Sequence, residues 1–300
     1  MQIRYVRLLL TGSLLASALS AADPLPITGL AHVGFRVSDL QKARAYYAGI
    51  LGFQEAFDGK NDAGQITLAF FKINDDQYVE ISPSLKPDQA DRMTHVAFVT
   101  SDIHKLRAVL EERGLAPSAI QRGHDGNLNC GLKDPDGHRL EFVEYQPGSW
   151  HTKARGKFMD ARRASDHMWH AGVSAANTNA ALAFYRDQLG FVEFWRGGPT
   201  DNELRYINLR MPGPRGDYIE LMLHSTPPTR QQLGSMHHFC LEVNDIQVAH
   251  RQLVKQGLGG ETRSSPKTGR NGHWLFSTFD PDGSRVEFME PNRASGPGRQ

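Results

Sequence analysis

The sequence predicts an α+β fold in which a strand–helix–strand–strand–strand unit is written four times. Three observations predict it. First, Leu30-Ala31-His32-Val33-Gly34-Phe35 matches Met168-Trp169-His170-Ala171-Gly172-Val173, and Tyr46 to Phe53 matches Phe184 to Phe191. His32 and His170, like Phe53 and Phe191, stand 138 residues apart, so no gap interrupts the match. Second, Thr94-His95-Val96-Ala97-Phe98 matches His237-His238-Phe239-Cys240-Leu241. Each run leads on to an Asp-Pro-Asp-Gly turn, Asp134 to Gly137 or Asp280 to Gly283, and a strand bearing Glu141 or Glu287. Third, four helices share start and stop chemistry. Repetition on this scale marks a duplicated architecture.

The units fall near residues 28–84, 92–146, 166–224 and 235–291. The first helix is capped at Ser38-Asp39, carries Leu40, Ala43, Tyr47 and Leu51 at helical spacing, and stops at Gly52. The second starts at Ser101-Asp102 with Ile103, Leu106 and Leu110, and closes at Gly114. The third starts at Asn177-Thr178-Asn179 and closes at Gly190; the fourth starts at Asn244-Asp245 and closes at Gly257. Short strands follow each helix, such as 67–73 and 78–82 in the first unit. Residues 28–146 and 166–291 are thus expected as two domains, joined by a polar, basic linker over 147–165 that reads as solvated. Residues 292–300, rich in Gly and Pro, read as a disordered tail.

The 300 residues are 39% hydrophobic and 22% charged with a formal net charge of +1, an ordinary globular composition without the basic field that nucleic acid would require. Residues 1–22 read as a cleavable signal peptide: Arg4 and Arg7 precede a short apolar run, Leu8 to Leu19, and small residues follow at Ser20-Ala21-Ala22. A mature protein in the periplasm or outside the cell is expected, with no membrane association after cleavage. Cys130 and Cys240 occupy different repeat positions and are expected as buried free thiols.

Strand side chains alternate between faces. Ala31, Val33, Phe35 and Val37 are therefore expected to pack on the helix, as are Trp169, Ala171 and Val173. His32 and His170 then face the other way. Glu80 and Glu220 lie between apolar neighbours and share that second face, as do Glu141 and Glu287. His238 is preferred to His237, which shares parity with Phe239 and Leu241. Glu144 and Glu290 fall on the packing face and are poor ligands. A lone strand His is more often structural, but four His and four Glu in register need a counter-charge. No Lys or Arg is read as repeating in step with all of them, so metal is the expected partner.

On these residues, the Tyr-Tyr-x-x-x-Leu-Gly-Phe helix end and the Asp-Pro-Asp-Gly turn before a Glu strand, the chain resembles the vicinal oxygen chelate superfamily over nearly all of 28–291. That superfamily includes glyoxalase I, extradiol dioxygenases and bleomycin-resistance proteins. The resemblance implies βαβββ modules paired into two curved, partly open β-barrels with helices on the outside. It implies a divalent metal (Ni, Zn, Fe, Mn or Co) held by two His and two Glu, as in bacterial glyoxalase I: His32, Glu80, His95 and Glu141, and again His170, Glu220, His238 and Glu287. It implies metal-assisted proton transfer through an enediolate-like intermediate, with Glu141 or Glu287 as the base, in a lyase or isomerase acting on a small substrate with vicinal oxygens. Arg36, four residues after His32, stands where glyoxalase I holds a substrate carboxylate.

Departures from the family patterns narrow the substrate. Ser84 and His224 stand where glyoxalase I has an Asn, which argues against a glutathione adduct. Gly131 and Ser277 replace a Tyr of the extradiol dioxygenases, and the fourth ligand is extra for them; a ring-cleaving enzyme is the alternative, and a bleomycin-resistance-like binding protein a third. A monomer or homodimer fits either. Sites within each half, or sites built as His32 and Glu80 with His238 and Glu287, are both compatible with the sequence.

Overall fold

The computed structural model describes residues 24–260 and 263–293; the expected signal peptide, and the tail beyond Arg293, lie outside them. Among the described residues, no helix is long and apolar enough to cross a membrane. The strands are β1 (Ile27–Arg36), β2 (Glu55–Lys60), β3 (Ile66–Lys72), β4 (Tyr78–Ser82), β5 (Met93–Thr100), β6 (Gln121–Arg122), β7 (Leu128–Lys133) and β8 (Arg139–Glu144) in the first half. The second half has β9 (Met168–Ala175), β10 (Val192–Gly197), β11 (Tyr206–Arg210), β12 (Tyr218–Leu223), β13 (His238–Glu242), β14 (Lys267–Thr268), β15 (His273–Phe279) and β16 (Arg285–Arg293). The helices are α1 (Leu40–Arg44), α2 (Ile103–Glu112), α3 (Trp150–Lys153), α4 (Thr178–Leu182), α5 (Arg230–Met236) and α6 (Ile246–Lys255).

The strands form two curved eight-stranded sheets, ordered β2-β3-β4-β1-β5-β8-β7-β6 and β10-β11-β12-β9-β13-β16-β15-β14. The first unit therefore pairs with the second through antiparallel β1 and β5, and the third with the fourth through β9 and β13. Pairing within halves is the outcome.

The four repeated helices start where their caps predict. The Asp39, Asp102, Asn177 and Asp245 side chains accept from backbone N–H groups of the first turn. Glu144 and Glu290 have the same kind of job from a distance: their carboxylates accept from Ile103 N at 2.8 Å and Ile246 N at 2.6 Å, at the positive ends of α2 and α6. That use accounts for their not facing the concavity. Both α1 and α4 run on into one π-helical segment, Ala45–Ile50 and Ala183–Gln188, which no repeat pattern announced. Each ends near a glycine with positive φ, Gly52 at 75° and Gly190 at 76°.

The π-helical segments bring aromatic pairs into one hydrophobic core that spans both halves. Tyr47, fully buried, donates to Asp280 Oδ2 of the other half at 3.1 Å, and Tyr185 donates to Asp134 Oδ2 at 2.9 Å. The Asp-Pro-Asp-Gly turns are therefore docking points: Asp280 Oδ1 also accepts from Asp282 N and Ser284 N, and Asp134 Oδ1 from Asp136 N and His138 N. Tyr47→Phe and Tyr185→Phe each leave a buried carboxylate short of one donor, and chemical denaturation should report a loss of about 1–3 kcal/mol for each.

The linker is not simply solvated. His151 of α3 is buried among the Phe57, Tyr78 and Tyr145 rings, with centroids 4.7–4.8 Å away. The buried Lys72 ammonium donates to Ala154 O at 2.5 Å and Asp75 Oδ1 at 2.6 Å. Cys130 and Cys240 are buried and free, as expected.

Two expected facings are corrected. In β1 the register against β5 shifts between Leu30 and His32, so Leu30 joins the main core while Ala31 packs with Ala97 and Val143 in a separate cluster. In β9 the register against β13 shifts between His170 and Met168; Met168 enters the core, and Trp169 packs edge-on against Tyr218 and His273. A bulge inserts one residue and reverses the alternation behind it, while the His positions keep theirs.

Candidate metal centres

In each sheet the four central strands carry one candidate ligand each. The order β4-β1-β5-β8 lines up Glu80, His32, His95 and Glu141, and β12-β9-β13-β16 lines up Glu220, His170, His238 and Glu287. The cross-strand register explains the meeting point. Gly34 pairs with both Glu80 and His95, and Gly172 with both Glu220 and His238. A Cβ on Gly34 would stand 2.6 Å from His95 Cε1 and collide with Thr94 Oγ1; one on Gly172 would collide with the His238 ring and lie 2.9 Å from Met236 O. Glycine two residues after each first His is thus what lets the second imidazole fold over the strand.

In the first half, His32 Nε2 and His95 Nε2 are 2.8 Å apart; Glu80 Oε2 lies 3.8 and 4.0 Å from them, and Glu141 Oε2 lies 3.8 Å from His95 Nε2. His32, His95 and Glu141 can each place a ligand atom within 4.8 Å of the others, with Glu80 just outside that set. In the second half all four residues fall within it. His170 Nε2 is 3.1 Å from His238 Nε2 and 3.3 Å from Glu287 Oε2, and His238 Nε2 is 3.5 Å from Glu220 Oε2.

The electrostatics fit a cation. Two imidazole nitrogens at 2.8 Å need a proton or an ion between them. Burial, reinforced by His95, holds His32 well below the usual imidazole range, and burial with Arg139 and Arg36 lowers His95 to about 3. Burial also raises Glu80 to about 8, helped by Glu141, and Glu141 to about 7 against the pull of Arg139. Among the described residues, the ion pairs of Glu80 and Glu141 are to these His alone. Neutral imidazoles beside two buried carboxyl groups without a Lys or Arg partner are a donor set that would suit a divalent ion, whose positive charge would favour the ionised carboxylates.

The halves differ in one residue that sequence reading missed. Arg285 Nη2 lies 2.8 Å from His238 Nε2, and its Nη1 lies 3.4 Å from Glu287 Oε1. Despite burial, Arg285 and the two His hold Glu287 well below the usual carboxylate range, while burial raises Glu220. No Lys or Arg accompanies all four Glu, but one does accompany the last Glu of each half: Arg139 and Arg285 each stand two residues before Glu141 and Glu287, on the same strand face. That spacing was the available signal. In the first half Arg139 makes no such contact with the His pair.

Access differs too. The first set, with Arg36 and Trp150, lines a cavity of about 900 Å³. The second adjoins one of about 300 Å³ lined by Glu220, Glu287 and Arg285, with His170 and His238 fully buried behind. Arg36 donates to Met93 O at 3.2 Å at the rim of the first cavity. His237 lies outside both sets. Tyr78 and Tyr218 are buried, and the Tyr218 ring lies tilted against His170 with centroids 4.4 Å apart. His124 lines the first cavity; His273 hydrogen-bonds Glu290 O.

These shifts set a pH dependence. A carboxylate raised by folding contributes stability below its ordinary value near 4.5 and loses it as pH rises through the raised one. The depressed His95 and His32 act oppositely, but only below about 6.5. After chelation, thermal stability should therefore fall from pH 6.5 to 8. His167, which burial opposes but Asp217 and Glu242 push up to about 9, adds in the same direction. The slope should accordingly be shallower in Glu80→Gln than in the parent; equal slopes would refute the assignment to Glu80.

Two His/Glu sets on the concave faces of paired βαβββ half-barrels define a duplicated half-barrel protein with two candidate metal sites. The chain belongs to the Glyoxalase/Bleomycin resistance protein/Dioxygenase superfamily, whose family model matches residues 29–142 and 167–288. It is 26% identical to a probable lactoylglutathione lyase of Synechocystis over 125 residues, 38% of this chain and 94% of that one. It is 25% identical to 3-methylcatechol 2,3-dioxygenase of Pseudomonas putida over 293 residues, 88% of this chain and 90% of that one. In fold it resembles the Mn(II)-bound glyoxalase from Novosphingobium aromaticivorans, with TM-score 0.66 and 19% identity over 88% of this chain and 82% of that one. It equally resembles the 2,3-dioxygenase LapB from Pseudomonas sp. KL28, with TM-score 0.67 and 16% identity over 93% and 97%.

Proposed function

We propose that the chain is a metal-dependent lyase or isomerase of glyoxalase type, working by proton transfer on a small substrate with two adjacent oxygens, with turnover in the first half. The observation that carries this reading is that His32, Glu80, His95 and Glu141 all line one 900 Å³ cavity. These four residues hold one divalent ion, and His170, Glu220, His238 and Glu287 form the corresponding set. A divalent ion bound there supplies Lewis acidity toward the substrate oxygens.

The chain's own residues do the rest. Strands β4 and β8 lie on opposite sides of the β1–β5 pair, so Glu80 and Glu141 flank the imidazoles. Glu141, lining the open cavity, takes a proton from carbon and returns it to the neighbouring carbon, with Glu80 assisting from the other side. Arg36 at the rim orients an anionic substrate group, and Trp150 narrows the cavity. Glu287, ionised beside Arg285, is the weaker base. The leader-like residues 1–22 support action in the periplasm or outside the cell, as a monomer or homodimer.

A ring-cleaving reading has one observation in its favour: the match to a catechol dioxygenase over 88% of this chain and 90% of that one. The test is turnover under argon, with hydroxy-ketones and 2-oxoaldehyde adducts, following exchange of the carbon-bound proton with deuterated solvent by NMR. Exchange without oxygen is expected. Oxygen uptake with catechols, and no exchange, would replace this reading by the other.

A further inference from the structure

His237 lies at the seam between the halves, in a hydrogen-bonded chain that the metal sets do not use. Its Nδ1 is 2.7 Å from Asp91 Oδ1 and its Nε2 is 2.9 Å from Ser174 Oγ. His138 approaches the same hydroxyl with Nε2 at 3.2 Å, and its Nδ1 is 2.7 Å from Asp134 Oδ2. The two rings meet edge to face at 4.9 Å. A serine hydroxyl carries one hydrogen, so it can donate to only one imidazole, and the other imidazole must donate to it. His138 is the imidazole better placed to donate, because its Nδ1 is held 2.7 Å from Asp134 Oδ2, whose hydrogen bond and charge raise its pKa although burial works against the protonated form. Ser174 then points its hydrogen at His237, which Asp91 orients.

Seam architecture does not require this set. The 138-residue repeat builds a second seam with the same backbone contact: Ser38 N donates to Asp282 Oδ2 there as Ala176 N donates to Asp136 Oδ1 here. At that second seam the positions of Ser174, His237, Asp91 and His138 are held by Arg36, Thr94, Gly234 and Ser284. Only one of two matching seams carries nucleophile, base and orienting carboxylate. That seam opens on a cavity of about 530 Å³, lined by Ser174, His237, His138 and Lys133 and sharing Arg36, His95 and Arg139 with the first metal cavity.

We propose that Ser174, His237 and Asp91 form a second, metal-independent acyl-transfer site that hydrolyses small carboxylate-bearing esters. Ser174 Oγ attacks the ester carbonyl as His237 Nε2 takes its proton. Arg36, Lys133 and Arg139 supply positive charge for the oxyanion and for the substrate carboxylate. The C–O bond then breaks, with the proton passing from His237 to the departing alcohol. Water, deprotonated by His237, releases the acid from the acyl-serine. The sum is ester plus water to acid plus alcohol.

A fluorophosphonate probe applied to the intact, chelator-treated chain should form one adduct, mapped to Ser174 by peptide mass spectrometry. Ser174→Ala should abolish it, and His237→Gln and Asp91→Asn should slow it, the former about 10²–10⁴-fold. Glu141→Ala should leave it intact, which separates this site from the metal reading. The parent should also hydrolyse 4-nitrophenyl hemisuccinate faster than 4-nitrophenyl acetate. No adduct on Ser174 in folded protein, or labelling unaffected by His237→Gln, overturns the proposal.

Discussion

Glu141→Ala should lower the divalent-metal content of the purified chain by one ion and turnover by at least about 10³-fold. Two losses add here. The side chain is one of the four residues of the proposed first-half ligand set, and by the proposed mechanism it also carries the proton, which alone is worth about 10²–10⁴-fold. Glu141→Gln divides the two. The amide keeps the volume and an acceptor oxygen but cannot take a proton, so turnover should collapse further than metal content does. Glu287→Ala should remove metal from the second half with a smaller effect on turnover, because His170 and His238 are sealed from the 300 Å³ cavity in front of them. Elemental analysis beside solvent-exchange kinetics checks all three variants. Unchanged metal content in Glu141→Ala would end the ligand assignment.

Gly34→Ala and Gly172→Ala should each weaken metal binding tenfold or more without removing any ligand. The added methyl in Gly34→Ala falls between Thr94 Oγ1 and the His95 ring, and in Gly172→Ala onto the His238 ring itself. The neighbour cannot give way cheaply. His95 Nδ1 is tied to Thr94 Oγ1 at 2.9 Å, and His238 Nδ1 donates to Met236 O at 2.8 Å. Displacing a ligand from the partner that orients it costs about 10–100-fold in affinity, and overpacking should add about 1–3 kcal/mol of destabilisation. Gly49→Ala, where an added Cβ meets nothing within 4 Å, is the control and should change neither quantity appreciably. Competition with a chromogenic chelator, paired with thermal melts, gives both readings. Parent-like affinity in Gly34→Ala and Gly172→Ala would mean that the imidazoles do not hold the ion.

Much of the site was legible because strand alternation is a local rule that duplication repeats. His32, Glu80, His95 and Glu141, and their second-half counterparts, share a face by parity alone, and the caps at Asp39, Asp102, Asn177 and Asp245 announce themselves within one turn. The rule failed where a bulge interrupts it, at Ala31 and Trp169, because an inserted residue leaves no mark in the hydrophobic pattern. The same parity that places Glu287 on the concave face places Arg285 there, but a basic residue recurs only before the last Glu of each half, so it is no part of the pattern shared by all four Glu. The seam residues were illegible for another reason: Asp91, Ser174 and His237 come from three separate stretches with no shared spacing.

By itself the sequence determined the repeating unit, the start of each repeated helix, and that the four His and four Glu turn away from the helices, since each depends on neighbours within a few residues. Only the tertiary structure decided that quarters join within halves and that Arg285 enters one His/Glu set while Arg139 stays clear of the other. It alone decided that the two halves meet through Tyr47 on Asp280 and Tyr185 on Asp134. Those outcomes depend on which edges and faces meet across long stretches of chain, and four near-copies of one pattern satisfy every local rule equally well in more than one assembly.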